Sequence, residues 1–196
     1  ADGAPAGPAD PDLADAAAVL CTSGTTGRPK AVVLTHANLR SNVEALRAHK
    51  AWDDHEVFGN PLPVFHVYGI TVMTLLPIAL GGTVVRIRPT PDACLAAVER
   101  ERVTRFAAVP AIFALLNRQR ERGSYDLSSC KSWICGGAPL AESVVDAFER
   151  GFGRHIHEGY GMLEASPGIS WNLDDRPFRR GAVGRPLAGV EVAIRA

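Results

Sequence analysis

The stretch Leu20-Cys21-Thr22-Ser23-Gly24-Thr25-Thr26-Gly27-Arg28-Pro29-Lys30 packs four hydroxyls and two glycines into the six residues 22–27, between two apolar runs. Backbone N–H groups of such a turn, with the hydroxyls of Thr22, Ser23, Thr25 and Thr26, can wrap anionic oxygens, and Lys30 adds a point charge. The chemistry implied is phosphate binding. This is not the Gly-x-x-x-x-Gly-Lys-Ser/Thr loop of the common nucleotide hydrolases, because Pro29 stands where the second glycine belongs and Ala31 follows the lysine. A polar hairpin between two strands would use the same residue types.

Further along, Gly136, Gly137 and Ala138 lie between a strand-like and a helix-like segment. Small side chains there let a flat ring or a carboxylate approach the backbone at the carboxyl end of a sheet, although a tight strand-to-helix turn needs them too. Tyr160, with Gly159 and Gly161 on either side and Glu158 before them, offers an aromatic face in open space; alone it reads equally as a core tyrosine. Glu164 follows four residues on. A carboxylate beside a triphosphate makes sense chiefly as a magnesium ligand, since direct contact with phosphate is repulsive; otherwise it is a solvated surface acid. His66, between Phe65 and Val67, is an imidazole in an apolar setting, either a satisfied core residue or a group at a pocket mouth. Cys21 is expected to be a buried small hydrophobe rather than a nucleophile. His155 and His157 alternate along a strand-like segment, but no Cys or further His stands at a zinc-site spacing.

The elements that must position these residues alternate. Strands are expected at Ala16 to Cys21 and Ala31 to Leu34, then a helix capped by Thr35 and running to about His49, with Leu39, Val43 and Leu46 at helical spacing. There follow a strand near Val57, a helix Val72 to Leu80, a strand Thr83 to Ile87, a helix Asp92 to Arg102, a strand near Phe106 and a helix Ala111 to Arg122. A strand Ser132 to Cys135, a helix Leu140 to Arg150 and a strand near Ile156 continue the alternation. Strands separated by helices of this length predict an α/β domain with a mainly parallel, helix-covered sheet.

The 196 residues, 46% hydrophobic and 21% charged, exclude disordered, collagen-like and disulfide-rich classes. Twenty-one basic residues balance twenty-one acidic ones, so no broad field attracts nucleic acid or an anionic membrane, and any phosphate chemistry is local. The longest apolar stretch, Val67 to Leu80, is too short and too interrupted to be a transmembrane helix. Cys21, Cys94, Cys130 and Cys135 form no Cys-x-x-Cys pair, which predicts reduced thiols and a cytoplasmic setting. Residues 1–12 read as a linker and 13–196 as one domain. The alternating run Val190 to Ala196 predicts a final strand with no turn after it, the pattern of a piece cut from something longer.

In the order of its residues the loop resembles that of the adenylate-forming superfamily, which comprises acyl-CoA and aryl-CoA synthetases, luciferases and peptide-synthetase adenylation domains. Their signature reads Thr-Ser-Gly-Thr-Thr-Gly-x-Pro-Lys-Gly, and here only Ala31 departs. The likeness continues in order through Leu62-Pro63-Val64-Phe65-His66-Val67-Tyr68-Gly69, Gly136 to Leu140, Glu158 to Ser166 and Gly184 to Val192. The connecting segments look most like bacterial fatty-acyl-CoA synthetases. The resemblance implies that residues 13–196 are part of the family's large domain, without its N-terminal segment and small C-terminal domain. It further implies ATP and a small carboxylic acid as ligands, with coenzyme A as co-substrate. Thr22 to Gly27 and Lys30 would meet the phosphates. Gly136, Gly137, Ala138, Glu158, Gly159, Tyr160, Gly161 and Leu163 would line the nucleotide site, with the Tyr160 ring on adenine. Glu164 would hold Mg2+, and His66 would stand at the acyl mouth.

Two departures limit the transfer. The family usually has Thr immediately before its acidic residue, where the hydroxyl meets the α-phosphate, and here Leu163 stands there. The chain also lacks the family's ribose-binding Asp, hinge and lysine-bearing small domain, so it is expected to turn over little by itself. Within the family, aryl-CoA ligases and adenylation domains are the rivals to a medium-chain or long-chain fatty acid ligase. The His66 block argues against a typical peptide-synthetase domain, and the segment from Gly161 to Gly181 is too short for the insertion of fatty acyl-AMP ligases. Outside it, the rival is a non-catalytic nucleotide or acyl-binding module.

Overall fold

The computed structural model describes residues 12, 15–22, 30–48, 52–119, 122–172 and 178–195. Strands β1 (Ala16–Thr22) and β2 (Lys30–Thr35) form an antiparallel hairpin in which Thr22 is registered with Lys30. The connection that carries the loop is therefore a hairpin, and its residues Ser23, Gly24, Thr25, Thr26 and Gly27 lie outside the described residues. Helix α1 (His36–Arg47) starts at once. The Thr35 hydroxyl accepts from the Asn38 N–H at 3.1 Å while the Thr35 N–H donates to Asn38 Oδ1 at 3.0 Å, so two helix-terminal donors are satisfied reciprocally.

The main sheet holds seven strands in the order β4 (Thr83–Arg86), β3 (Val57–Asn60), β5 (Arg105–Ala108), β6 (Ser132–Cys135), β7 (Ile156–Gly161), β8 (Gly168–Trp171) and β9 (Arg185–Pro186). It is parallel from β4 to β7 and antiparallel beyond. Helices α3 (Pro91–Arg100), α4 (Pro110–Asn117) and α5 (Glu142–Phe152) are the crossovers between successive parallel strands. Strands β5 and β6 are buried at every position, as strands covered on both faces must be. Phe106 and Trp133 on these strands meet Phe113 on α4 and Phe148 on α5 in edge and tilted contacts at 5.0–6.3 Å, the aromatic centre of the core.

Four expectations need correction. The apolar run from Val72 to Leu80 is not one α-helix but a π-helical stretch, Tyr68–Leu75, followed by a single turn, α2 (Leu76–Ala79). Pro77 has no N–H to return to the Met73 carbonyl, which accepts from Asn60 Nδ2 at 3.3 Å instead, while the Leu76 N–H reaches back five residues to Thr71. Helix α4 ends at Asn117, not Arg122, because Arg118 and Gln119 donate three residues back in a tightened last turn. The alternating segment 190–195 forms no strand: alternation marks an apolar face, but a strand also needs a ladder, and no described residue supplies one. Cys21 is exposed, since on the hairpin it shares the outward face with Val19. Strands β8 and β9 were not anticipated at all.

Candidate functional site

At the carboxyl ends of β6 and β7 lies a cavity of about 530 Å³. It brings together His66, Gly136, Gly137, Gly159, Tyr160, Gly161, Leu163 and Glu164, residues spread over a hundred positions of sequence, with Leu20 and Cys21 from the strand that enters the loop. Lys30 is exposed at the first position of β2, and Ala138 is exposed beside Gly137; neither lines the cavity. Glu158 also stands back from it, with its backbone carbonyl accepting from the Asn172 N–H at 3.0 Å. Thr22 closes β1, and the loop after it lies outside the described residues.

The glycines are there because something comes close. Gly137 has φ of 86°, a left-handed turn that takes the chain from β6 toward α5. A Cβ on Gly161 would sit 2.3 Å from the Pro167 carbonyl oxygen, so this glycine serves the reversal into β8 rather than leaving open space beside Tyr160. The Tyr160 ring itself is half exposed and forms part of the wall. Glu164 sits on a short 3₁₀ turn, Leu163–Ala165, with its side chain in solvent.

His66 is exposed rather than enclosed by apolar neighbours. Its Nδ1 accepts from the Tyr68 N–H at 3.2 Å, which leaves Nε2 as the protonated nitrogen of the neutral ring and the one free to meet a ligand. Below it, Tyr68 is 9% exposed, its ring against Gly136, and burial holds its hydroxyl protonated well above the ordinary range. Burial, with the Glu158 carboxylate as a second influence, pushes the Cys135 thiol up to about 12, and burial raises the Glu158 carboxyl as well.

Several wall residues escaped the sequence reading: Val72, Met162, Trp171 and Leu187 line the cavity. Trp171 carried no signal because β8 carried none, and Leu187, although within the Gly184–Val192 block, was given no part in the site. Phe65 and Tyr68 stood in the His66 segment, and their aromatic character was the available clue. No group of three or more His, Cys, Asp or Glu side chains converges anywhere among the described residues. His155 instead pairs with Glu149 at 2.9 Å and stacks on Phe178. Among the described residues Glu164 alone offers a carboxylate to the cavity, which fits a magnesium ion that keeps several waters and takes its other ligands from phosphate oxygens.

The profile of the AMP-binding enzyme family matches residues 2–196. The chain belongs to the AMP-binding enzyme family. Its relatives in that family include a long-chain-fatty-acid–CoA ligase of Bacillus subtilis, 35% identical over 92% of this chain and 33% of the relative. A 4-coumarate–CoA ligase-like protein of Arabidopsis thaliana is 37% identical over 92% of this chain and 33% of the relative. Among solved structures, ATP-bound MatB from Rhodopseudomonas palustris superposes with a TM-score of 0.79 at 30% identity, over 92% of this chain and 35% of that one. The chain thus spans about a third of the length of the curated family members it matches. The mostly parallel, helix-flanked sheet is the fold shared with these adenylate-forming enzymes, and no helix among the described residues is long and apolar enough to cross a membrane.

Proposed function

We propose that residues 13–196 are part of the large domain of an ATP-dependent acyl-CoA synthetase, residues 1–12 being a linker, and that the full-length protein activates a medium-chain or long-chain fatty acid. The observation that carries this reading is the cavity itself. One end of it meets the strand leading into the hydroxyl and glycine loop, and its wall combines small residues at the strand ends with Tyr160, Glu164 and an apolar interior. In this reading the Thr22–Gly27 backbone and hydroxyls with Lys30 bind the phosphates. Tyr160 stacks on adenine, with Gly136, Gly137, Ala138, Glu158, Gly159, Gly161 and Leu163 around the nucleotide. Glu164 would hold Mg2+, which supplies charge neutralisation on the triphosphate. Four free thiols suit a reducing, cytoplasmic setting.

The carboxylate oxygen of the acid bonds to the α-phosphorus as the bond to pyrophosphate breaks. The thiolate of coenzyme A then bonds to the acyl carbon and AMP leaves. His66 Nε2, at the mouth, orients the carboxylate; Lys30 and the loop donors meet the charge that develops on the transferring phosphoryl. An aryl acid is the second reading, favoured by the aromatic wall of Phe65, Tyr68 and Trp171 and by a 4-coumarate–CoA ligase-like relative.

The test is exchange of labelled pyrophosphate into ATP by the full-length protein, with panels of straight-chain and aryl acids. Exchange that depends on a fatty acid supports the first reading, and exchange with aryl acids alone supports the second. ATP binding without exchange for any acid would make the protein a nucleotide-binding module and overturn both.

A further inference from the structure

Lys30 and Glu164 belong to segments far apart in sequence, yet for both to serve one triphosphate their separation must be held to a fraction of an ångström, on the order of 0.5 Å. The structure contains a physical link. Lys30 opens β2, β2 runs into the Thr35 cap, and the cap starts α1. About two turns beyond the cap, Asn42 points away from solvent, 5% exposed, and grips the turn that carries the acid. Its Nδ2 donates to the Ala165 carbonyl at 3.2 Å and to the Gly168 carbonyl at 2.9 Å, and its Oδ1 accepts from the Gly168 N–H at 3.1 Å.

The turn is closed upon itself, with Ala165 donating to Met162, Ser166 to Leu163, and Met162 to Pro167, at 3.0–3.1 Å, and its ends are paired where Gly161 of β7 is registered with Gly168 of β8. Those bonds fix its shape and its seat on the sheet, but they do not tie it to α1. Asn42 holds it on the C-terminal side of Glu164, at Ala165, the last residue of the short helix, and at Gly168, where β8 begins. A Cβ on Gly168 would lie 3.3 Å from Asn42 Oδ1, so the glycine leaves room for the amide to reach the backbone. Asn42 is an odd choice for packing alone. An apolar residue would continue the face formed by Val43 and Leu46 without the need to satisfy a buried amide.

We propose that Asn42 is a positioning residue, which fixes the 162–168 turn against the helix that follows the Lys30 strand and so sets where Glu164 stands relative to Lys30. This rests on the reading of Glu164 as the magnesium-facing carboxylate. Asn42 touches no substrate in this arrangement; it acts through the turn.

The experiment compares Asn42→Ala, the isosteric Asn42→Asp and Glu164→Gln in the full-length protein. Three quantities are read: exchange of the Gly168 amide proton, thermal midpoint, and ATP affinity by calorimetry with and without Mg2+. The expected result for Asn42→Ala is faster exchange at Gly168 and about a tenfold loss of the magnesium-dependent gain in ATP affinity. Magnesium-free ATP affinity stays at the wild-type level. Asn42→Asp keeps the acceptor for Gly168 and the side-chain shape but sets an oxygen against the Ala165 and Gly168 carbonyls, so it should lower the midpoint, still protect the Gly168 amide and lose part of the gain. A lower midpoint in Asn42→Ala or Asn42→Asp with the magnesium-dependent gain intact, while Glu164→Gln abolishes that gain, overturns the positioning role and leaves Asn42 a structural residue. A gain that survives in Glu164→Gln overturns the reading of the site, and the positioning role with it.

Discussion

The two ends of the parallel strands treat buried polar groups in opposite ways. At the amino ends, Glu56 before β3 is buried with its carboxylate held by Arg105 Nε and Nη2 at 3.0–3.1 Å, by the Asp53 N–H at 2.9 Å and by the Thr104 hydroxyl. Arg105 also donates to the Ser132 hydroxyl and lies over the Trp52 ring. At the carboxyl ends, Glu158 has a carboxyl raised by burial, the Cys135 thiol is shielded, and the backbone is stripped to glycines around a cavity. One end is internally satisfied and needs nothing from outside. The other sets Glu158 and Cys135 behind a glycine-edged wall that faces open space, which is where an open α/β sheet binds ligands.

The largest expected effect attacks the satisfied end. Arg105→Ala strands the Glu56 carboxylate without its partner in the interior, and breaking a buried pair on one side costs about 3–5 kcal/mol. Denaturant unfolding should show that loss as a lower midpoint. A loss below about 1 kcal/mol, the range of an exposed ion pair, would mean that water reaches Glu56 and that the two ends are not so different.

Next comes the open end. Glu164→Gln removes an exposed charge, so unfolding should be unchanged, while acyl-AMP formation by the full-length protein falls about a hundredfold, equivalent to about 2.7 kcal/mol of transition-state stabilisation. Single-turnover measurement with saturating ATP checks this. Equal loss of stability and activity would place Glu164 with the structural residues instead.

Leu163 sharpens the same contrast, because the resemblance to the adenylate-forming signature would place a threonine hydroxyl there. Leu163→Thr in the full-length protein should supply a donor near the α-phosphate and raise the adenylation rate about tenfold, or about 1.4 kcal/mol. Leu163 is half buried on the cavity wall, so a fall in thermal midpoint must be measured beside the rate. A slower rate at an unchanged midpoint would show that the leucine itself belongs to the working surface.

The satisfied end and the open end also differed in how far they could be read from sequence. The parallel strands and crossover helices announce themselves by period, and the Thr35 cap is visible as a hydroxyl before a helical face. By type alone the small residues read equally as turn formers and Glu164 as a surface acid; the family resemblance groups them, and the cavity brings most of them together. What stayed hidden depends on long-range pairing. Trp171 on β8 and Leu187 just after β9 reach the cavity from strands too short to show a period, and Gly161 reads as open space until Pro167 is seen against it. Asn42 looked like one more polar position on α1, since its partners at Ala165 and Gly168 lie 123 and 126 residues away. The π-helical turn follows from what Pro77 cannot donate and what Asn60 does, a tertiary matter that the apolar run from Val72 to Leu80 conceals.

The smallest effect is one of sign, with the two carboxylates moving in opposite directions. Burial works to raise the Glu56 carboxyl, but the hydrogen bonds from Arg105, Thr104 and Asp53 together hold it below its ordinary value of 4.5. A folded-state value below the unfolded one means that the unfolded chain takes up protons first. Glu56 therefore contributes stability above pH 4.5 that is lost as pH falls through its lowered value. Glu158, raised by burial without a compensating bond, does the reverse: its penalty is absent below pH 4.5 and grows as pH rises through the raised value. Unfolding curves collected from pH 3 to pH 7 on Glu56→Gln and Glu158→Gln, each against the parent chain, separate the two, with roughly that span covering both carboxyls. The difference curve for Glu56→Gln should show the parent's advantage shrinking toward acid, on top of the cost of breaking the buried network. That for Glu158→Gln should show a small advantage of the variant near neutrality that vanishes in acid. Difference curves of the same sign would mean that Glu158 has a partner in solution that compensates its burial, and that the open end is satisfied before any ligand arrives.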